Sequence, residues 1–587
     1  DTSGNGNDFT SSGLASTDAV SDSPTNNFST LSNLHRDYNT SSYTKEGNLQ
    51  YVANSTGVTT GRYGSMAMNQ NQGGKYYAEC KINTYANGSM WIGVVRDVPA
   101  LAGGIYTAGV RYKGYAYKTN GNKTTTNNTG SSYGASFTTG DIIGIALNLD
   151  DDEITFYKNG TTQGVAFTSI TAVDTDDGFF IFGGDADPQN TFTFNFGQDS
   201  TFAGSETAGG NSDANGIGDF KYSVPSGFLA LCSSNLPDTT LSPNQAEQAD
   251  DYFNTVLYTG DGQTTNDITG VGFKPDWTWI KERSSDGSHI ASHVLLDSSR
   301  GYENYLVSNA TNAEGTGVSN NNSTRSNDGF QTNNSGATNQ NNQPYVSWNW
   351  KANGGTTSSN TDGSITSTVQ ANTDAGFSIL TYTGTGSAGT IGHGLGAVPK
   401  WILIKGRTNA KNWIVYHVAN TSAPETDYLH INTTNATQDS AIFFNDTAPT
   451  SSVISLGTGN NVNDSGNTYV AYVFAEIEGY SKFGSYTGNT STDGTFVFTG
   501  FRPAFILGKS SSSSGDNWFI FDNKRDVDNV VGADLNPDSS AAEATSTYMD
   551  FLSNGFKLRA TSGLVNDGTT FIYMAFAEQP FKFSNAR

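Results

Sequence analysis

The 587 residues carry 31 Lys and Arg against 55 Asp and Glu, a formal charge of −24, and a surface of that sign excludes phosphate backbones and anionic lipid headgroups as natural partners. Charged residues make up only 15%, aromatics reach 12%, and there are 67 Gly and 14 Pro, which excludes collagen-like, coiled-coil and simply disordered chains. The length exceeds what one hydrophobic core organises and predicts roughly three to five domains. Abundant Thr, Tyr, Phe and Val favour pleated, half-buried surfaces, and Gly with Asn favours turns, so an all-β, loop-rich protein is expected. Cys80 in "YYAEC" and Cys232 in "GFLALC" read as buried free thiols. Two Cys and six His leave no zinc spacing, so neither a metal nor a cofactor is expected. There is no apolar run long enough for a spanning helix, so no membrane insertion is expected. The opening "DTSGNGNDFT" has neither Met nor a signal-like apolar stretch and reads as a trimmed or processed start.

Residues 1–26 are expected to be an extended segment, and 27–202 a first domain. Its strands are "KYYAECKI", "GSMWIGVV", "DIIGIALNL", "EITFYKNG", "FFIFGG" and "NTFTFNFG". The densest signal is "GDIIGIALNLDDDEITFYKNGTTQGVAF", Gly140 to Phe167, in which Asn159-Gly160 makes a tight hairpin turn. This stretch resembles the SPRY (B30.2-like) family, with its Gly-Asp-led strand, short acidic turn and "TFYKNG" strand. The resemblance implies a concanavalin-like bent β-sandwich used for binding through variable loops rather than for catalysis. The loop from Arg96 to Asn122 holds Tyr106, Tyr112, Tyr115 and Tyr117 among Gly and Lys, and tyrosines offer large contact area at low entropic cost. They are the candidate receptor contacts; the alternative is that they cover the edge of the sandwich. The run Asp150, Asp151, Asp152, Glu153 lacks the alternate spacing and Gly of a calcium loop and reads as a solvated turn.

Residues 203–250 are expected to connect the two halves, with "FKYSVPSGFLALCSSNLPD" closing a sandwich. A repeat then occurs three times: "YTGDGQTTNDITGVGFKPDWTWIK", "YTGTGSAGTIGHGLGAVPKWILIK" and "YTGNTSTDGTFVFTGFRPAFILGK". Tyr258, Pro275, Trp277 and Lys281 correspond to Tyr382, Pro399, Trp401 and Lys405, and to Tyr486, Pro503, Phe505 and Lys509, without a gap. The copies end on "YVSWNWK", "YVAYVFAE" and "FIYMAFAE", which align Trp350, Phe474 and Phe576. Each copy reads as a β-sandwich or jelly roll. The boundaries are 251–352, with a polar Asn-rich insertion at 308–343 expected to be an exposed excursion, then a linker at 353–376, a second repeat at 377–480 and a third at 481–587. The second and third copies are expected to pack end to end. Trp277 reads as core. Trp279, replaced by Leu403 and Leu507, reads as core as well, with a role as a contact residue kept as the alternative. "NWIVYH" matches "NWFIFD", with "HIASH" as their counterpart, which places His293 and His417 in matching positions with a structural role.

Taken together, the N-terminal segment, the SPRY-like unit, "GFLALCSSNLP" and the Tyr-Thr-Gly repeats look like virion proteins of tailed phages of marine bacteria. That resemblance implies a non-enzymatic virion appendage protein, a tail fibre or host-attachment protein at the virion surface. It also implies homotrimerisation, contact with other virion proteins, and binding of a host cell-surface glycan or protein through exposed loops. The alternatives are a capsid-decorating or tail-knob protein, a bacterial cell-surface adhesin or surface-layer protein, and a capsule-degrading tail enzyme. A glycosidase needs two carboxylates across a cleft. The nearest text, Glu476-Ile-Glu478, closes a repeat strand, so no catalytic residue is assigned and no enzyme is expected.

Overall fold

The computed structural model describes residue 23 and residues 26–34, 42–53, 60–96, 114–125, 130–171, 178–185, 189–239, 241, 246–284, 292–319 and 327–578. Strands dominate throughout, as the composition requires. They form two units, which divide near Pro237 and Asp238.

The first unit is a sandwich of an eight-stranded and a seven-stranded sheet. Lys75–Thr84 pairs with Ile142–Asn148, which pairs with Glu153–Lys158, all antiparallel. Alternate residues of these strands, including Tyr76, Ala78, Cys80, Ile143, Ile145 and Leu147, fill the core between the sheets. The connector does not stand apart as a spacer. Leu229–Ala230 adds to Lys75–Thr84 in parallel, and Phe28 bridges to Cys232, so the segment up to residue 237 belongs to the sandwich. Both cysteines are buried and free.

The second unit contains the three repeats, each built on one four-strand motif. In the first repeat the order across the sheet is Phe253–Thr259, Pro344–Trp350, Trp277–Glu282, Val294–Asp297. The second gives Phe377–Thr383, Thr468–Phe474, Trp401–Gly406, Ile414–His417, and the third Ser481–Thr487, Thr570–Ala577, Pro503–Ser510, Phe519–Asp522. A smaller sheet covers one face of each: Asn266–Ile268 with Phe330–Thr332, Gly389–Gly392 with Val453–Leu456, and a four-stranded sheet around Gly555–Leu558.

The repeated Tyr-Thr-Gly is a local clamp. Tyr258, Tyr382 and Tyr486 stack on Tyr345, Tyr469 and Phe571 at centroid distances of 5.0, 5.2 and 5.0 Å. Their hydroxyls donate to Thr338, Val462 and Val565 carbonyls at 2.7, 2.6 and 2.9 Å. The next residues, Asn339, Asn463 and Asn566, are fully buried and accept the N–H groups of Asp261, Thr385 and Asn489. The Gly is required by close approach: a Cβ at Gly260 would lie 2.2 Å from Gln340 O, and one at Gly384 2.3 Å from Asp464 O.

Both faces of the central strand are buried, which is why it reads as a near-continuous apolar run. In the second repeat Ile402 and Ile404 face that repeat's own core, while Trp401 and Leu403 face a core shared by all three repeats. In the first repeat Ile280 faces inward to its own sandwich, and Trp277 and Trp279 enter the shared core. At the centre of that core the three aligned aromatics meet: Trp350 lies 6.4 Å from Phe474 and 5.7 Å from Phe576, and Phe474 lies 5.6 Å from Phe576. The repeats are therefore arranged as a ring around a common axis, not end to end.

Three further expectations are corrected. The segment 353–376 is not a free linker, because Ser358–Asn360 and Ser367–Asn372 add two strands to the second repeat's sheet. The Asn-rich insertion is built in where it is described: Gly315–Thr316 and Phe330–Thr332 are strands, and Thr338 and Asn339 are buried, with 320–326 outside the described residues. His293 and His417 are not equivalent. Strand register places His417 with Asp297 and Asp522, each opposite the first aromatic of the central strand, and His293, four residues earlier, with Trp413 and Trp518.

A shared core makes the three repeats one folding unit. Urea denaturation followed by tryptophan fluorescence and circular dichroism should show the repeats unfolding in a single transition. Trp350→Ala should lower its stability by roughly 3–5 kcal/mol, the range for truncating a buried large aromatic. Separate steps in the unsubstituted protein would show that the repeats fold independently.

Candidate interaction site

The tyrosine-rich loop does not form an exposed aromatic patch where it is described. Tyr106 and Tyr112 lie outside the described residues. Tyr117 is buried, packs edge-on against Tyr133 and at a tilt against Phe137 and Phe156, and donates its hydroxyl to Ala135 O. Tyr115 is half-buried against Phe167 and Phe179, and its hydroxyl accepts the Thr171 N–H. Both rings close the edge of the sandwich. Asp150 and Asp151 lie exposed beside Lys75. Deeper in the same unit, burial pushes Glu79 up to about 7, against the pull of N–H donors from Lys221 and Tyr222 and the amide of Asn195. This carboxyl holds residues 221 and 222 onto the sheet.

Trp279 is buried too. It lies 6.3 Å from Trp348, and its indole N–H donates to His293 Nδ1 at 2.9 Å, so it cannot present a ring to a receptor. Lys281, Lys405 and Lys509 recur because each buried ammonium donates to the carbonyl that follows it, at 2.7 Å to Glu282, 3.0 Å to Gly406 and 2.9 Å to Ser510. Desolvation lowers all three, to about 8 for Lys281 and Lys405. Lys405 also reaches Thr311 O of the first repeat, at 3.2 Å.

The strongest polar chemistry lies in the three seams of the ring, at equivalent positions. Between the first and second repeats, Tyr472 donates to Asp297 at 2.7 Å, and Asp297 pairs with Arg300. Arg300 pairs with Glu314 at 2.8 Å, and Arg407 grips the same carboxylate with two bonds of 2.9 Å. Between the first and third, Trp348 donates to Asp522 at 3.0 Å, Asp522 pairs with Arg525 at 2.6 Å, and Glu543 takes Arg525 at 3.2 Å and Arg283 at 2.9 and 2.7 Å. Backbone bonds reinforce both: Glu314 N–H to Arg407 O and Glu543 N–H to Arg283 O, each 2.8 Å.

The third seam has the same geometry without the charges. His417 replaces the aspartate, Asn420 and Ser511 replace the arginines, and Thr437 replaces the glutamate. Thr437 donates its N–H to Ser511 O at 2.9 Å and its hydroxyl to Asn420 at 2.6 Å. His417 Nδ1 accepts the Ala419 N–H, and Nε2 faces Tyr573 O at 2.9 Å, which fixes the neutral Nε2–H form. The indoles of Trp413 and Trp518 cross their seams to Val307 O and His430 O, each at 2.9 Å. Single-sequence reading could not pair these residues, because Glu314 and Arg407 lie 93 positions apart.

The paired carboxylates considered for hydrolysis are engaged otherwise. Glu476 binds Lys482 at 2.7 Å and the Phe483 N–H at 3.1 Å, where the second repeat passes into the third. Glu478 is exposed on the same turn.

Against known families, residues 248–580 match the family described as "Domain of unknown function (DUF7483)", and residues 75–199 match the SPRY domain. The first match covers more than half of the chain, and the protein belongs to that family. Its single span takes in all three repeats, the same stretch that shares one core. The second match makes the N-terminal sandwich a SPRY domain. Ran-binding protein 9 of Xenopus tropicalis is 50% identical over 42 residues, which is 7% of this chain and 8% of that protein, so the chain spans less than a tenth of that relative. Among solved structures, a human SPRY domain has 17% identity and a TM-score of 0.21, covering 26% of this chain and 93% of that one. The SPRY domain of human HERC1 has 18% identity and a TM-score of 0.20, covering 30% and 95%.

The seams predict unequal sensitivity. Glu314→Ala strands two arginines and should cost roughly 3–5 kcal/mol in chemical denaturation. Thr437→Ala at the equivalent site should cost about 1 kcal/mol. Burial lowers His417 to about 4, from an unperturbed 6.5. Its contribution is therefore fully present above pH 6.5 and is lost as pH falls through 4, amounting to about 3 kcal/mol. The stability difference between the wild type and His417→Gln should follow that window.

Proposed function

We propose that this is a non-enzymatic structural protein of a virion appendage, a phage tail fibre or related host-attachment protein, exposed at the virion surface. It would bind a host cell-surface glycan or protein through loops of its SPRY domain and repeats, with weak contacts strengthened by copy number. The observation that carries the reading is the shared core. It joins the three repeats of one chain into a single unit, the arrangement that fibre proteins reach by assembling three chains. The ionisable groups of the seams support it, since the buried Asp297, Arg300, Asp522 and Arg525 and the half-buried Glu314 and Glu543 are spent holding the lobes together. Assembly of the whole chain into a homotrimer is a separate proposal, and mass photometry reads it directly.

Immunogold labelling of purified virions with antibody to this chain should mark the tail or its appendages, and the free chain should compete with virions for adsorption to host cells. Label on the capsid shell without competition would favour the decorating-protein alternative. Release of oligosaccharides from purified host polysaccharide, abolished in Glu476→Gln/Glu478→Gln, would overturn the non-enzymatic reading.

A further inference from the structure

In the second repeat the outer edge of the large sheet is covered. Ser367–Asn372 lies antiparallel to Phe377–Thr383, with Thr368 opposite Thr381 and Gln370 opposite Ile379. Val369 of the added strand is buried in that repeat's core beside Leu380 and Tyr382, which are themselves buried.

The third repeat meets part of the same edge with local caps, while Ser485, the counterpart of Leu257, has no outward backbone partner among the described residues. Ser481 N–H donates to Ile477 O at 2.8 Å, Phe483 N–H donates to Glu476, and Thr487 O accepts the Thr495 hydroxyl at 2.9 Å.

Among the described residues the first repeat has no added strand on this edge, and a side chain caps it only at Thr255. Among the described residues Phe253–Thr259 pairs only with Pro344–Trp350 and ends the six-stranded sheet. Gly260 N–H donates to Gln343 O and Lys351 N–H to Tyr252 O, so even-numbered residues turn their backbone groups to the neighbouring strand and odd-numbered ones turn theirs outward. The Thr255 N–H is met by the Asn254 side chain at 2.9 Å. The outward groups of Leu257, the counterpart of Thr381, have no partner among the described residues, and the residue is 39% exposed. Val256 and Tyr258, the counterparts of the buried Leu380 and Tyr382, stay half-buried. An open edge with unpaired N–H and C=O groups is a template for an added strand.

The geometry points to a docking site on this edge for an extended segment of a partner protein, added antiparallel to Phe253–Thr259. The segment has the chemistry that fills the same place on the second repeat: uncharged, with a β-branched apolar residue between Ser, Thr or Gln, as in residues 365–371, "ITSTVQA". Its apolar residue covers Val256 and Tyr258 as Val369 covers Leu380 and Tyr382. The inference rests on the edge geometry and not on the virion assignment.

The probe is a fluorescein-labelled ITSTVQA peptide titrated into the full chain, read by anisotropy. Saturable binding is expected. The Leu257 N–H faces outward, so Leu257→Pro removes a donor from the open edge without removing a bond to Pro344–Trp350. That variant should weaken binding at least ~10-fold, about 1.4 kcal/mol. On the peptide, N-methylation at the positions of Thr368 and Gln370, whose N–H groups face the receiving strand, should abolish binding, whereas N-methylation at Val369 should not. No saturable binding, or binding indifferent to both Leu257→Pro and the Thr368 and Gln370 methylations, overturns the site. Dimerisation of the chain that Leu257→Pro abolishes overturns the partner in favour of a second copy.

Discussion

Three aromatic rings, Trp350, Phe474 and Phe576, contribute one apex each to a triangle at the centre of the repeat unit. Each lies at or next to the end of the last strand of its repeat, and that strand lies between the repeat's first strand and its central one. Fixing the rings therefore fixes three sheets at once. A strand that must fill its own sandwich on one face and this hub on the other cannot expose either face, and the alternation Trp401, Ile402, Leu403, Ile404 divides between the two cores accordingly. The motif Pro-x-aromatic recurs because its aromatic residue packs beside the triangle: Trp277 lies 4.5 Å from Trp350, and Phe505 lies 5.6 Å from the same ring.

The hub is apolar and cannot by itself dictate which repeat neighbours which. The seams supply that order. A carboxylate shared by two arginines is costly to bury with either partner missing, so the charged seams accept only their own matching edges. The neutral seam joins the second and third repeats, which follow one another through the short turn at Glu476–Tyr480. Tethering so short raises the effective concentration of the two faces, and modest hydrogen bonds suffice there. The first and third repeats share no direct tether, and their seam carries a full set of charges: Asp522, Arg525, Glu543 and Arg283.

The sequence made the repeats legible because their scaffold positions are written without gaps, from Tyr258 to Lys281 and twice more. The all-β class and the SPRY domain were legible for a similar reason, in a contiguous run from Gly140 to Phe167. Local alternation is the same for a sandwich that stands alone and for one that shares a core, and so the ring was not visible. The strand Ser367–Asn372 escaped notice because "STVQAN" offers one large apolar side chain. His293 was aligned with His417 because loop lengths differ between repeats, and only strand register sets Asp297, His417 and Asp522 together. Trp279 is core, as the alternation implies, and only its departure from the repeat pattern suggests a contact role. It departs because its indole pairs with His293, where the other repeats place Trp413 and Trp518.

These constraints also limit where recognition can occur. The faces of the central strands are closed, the seams are occupied by their own charges and indoles, and Tyr115 and Tyr117 close an edge of the SPRY sandwich. What the fold leaves to a partner is strand edges and loop tips, and among the three equivalent edges of the ring the chain itself covers one with a strand and caps another in part. A repeat array under a purely structural constraint has no need to treat equivalent edges differently. The contrast between Leu257, an exposed apolar residue on an open edge, and Thr381, covered by an added strand, is therefore the feature of the ring that its internal packing does not explain, and Ser485 of the third repeat lies between them, on an open edge but half-buried.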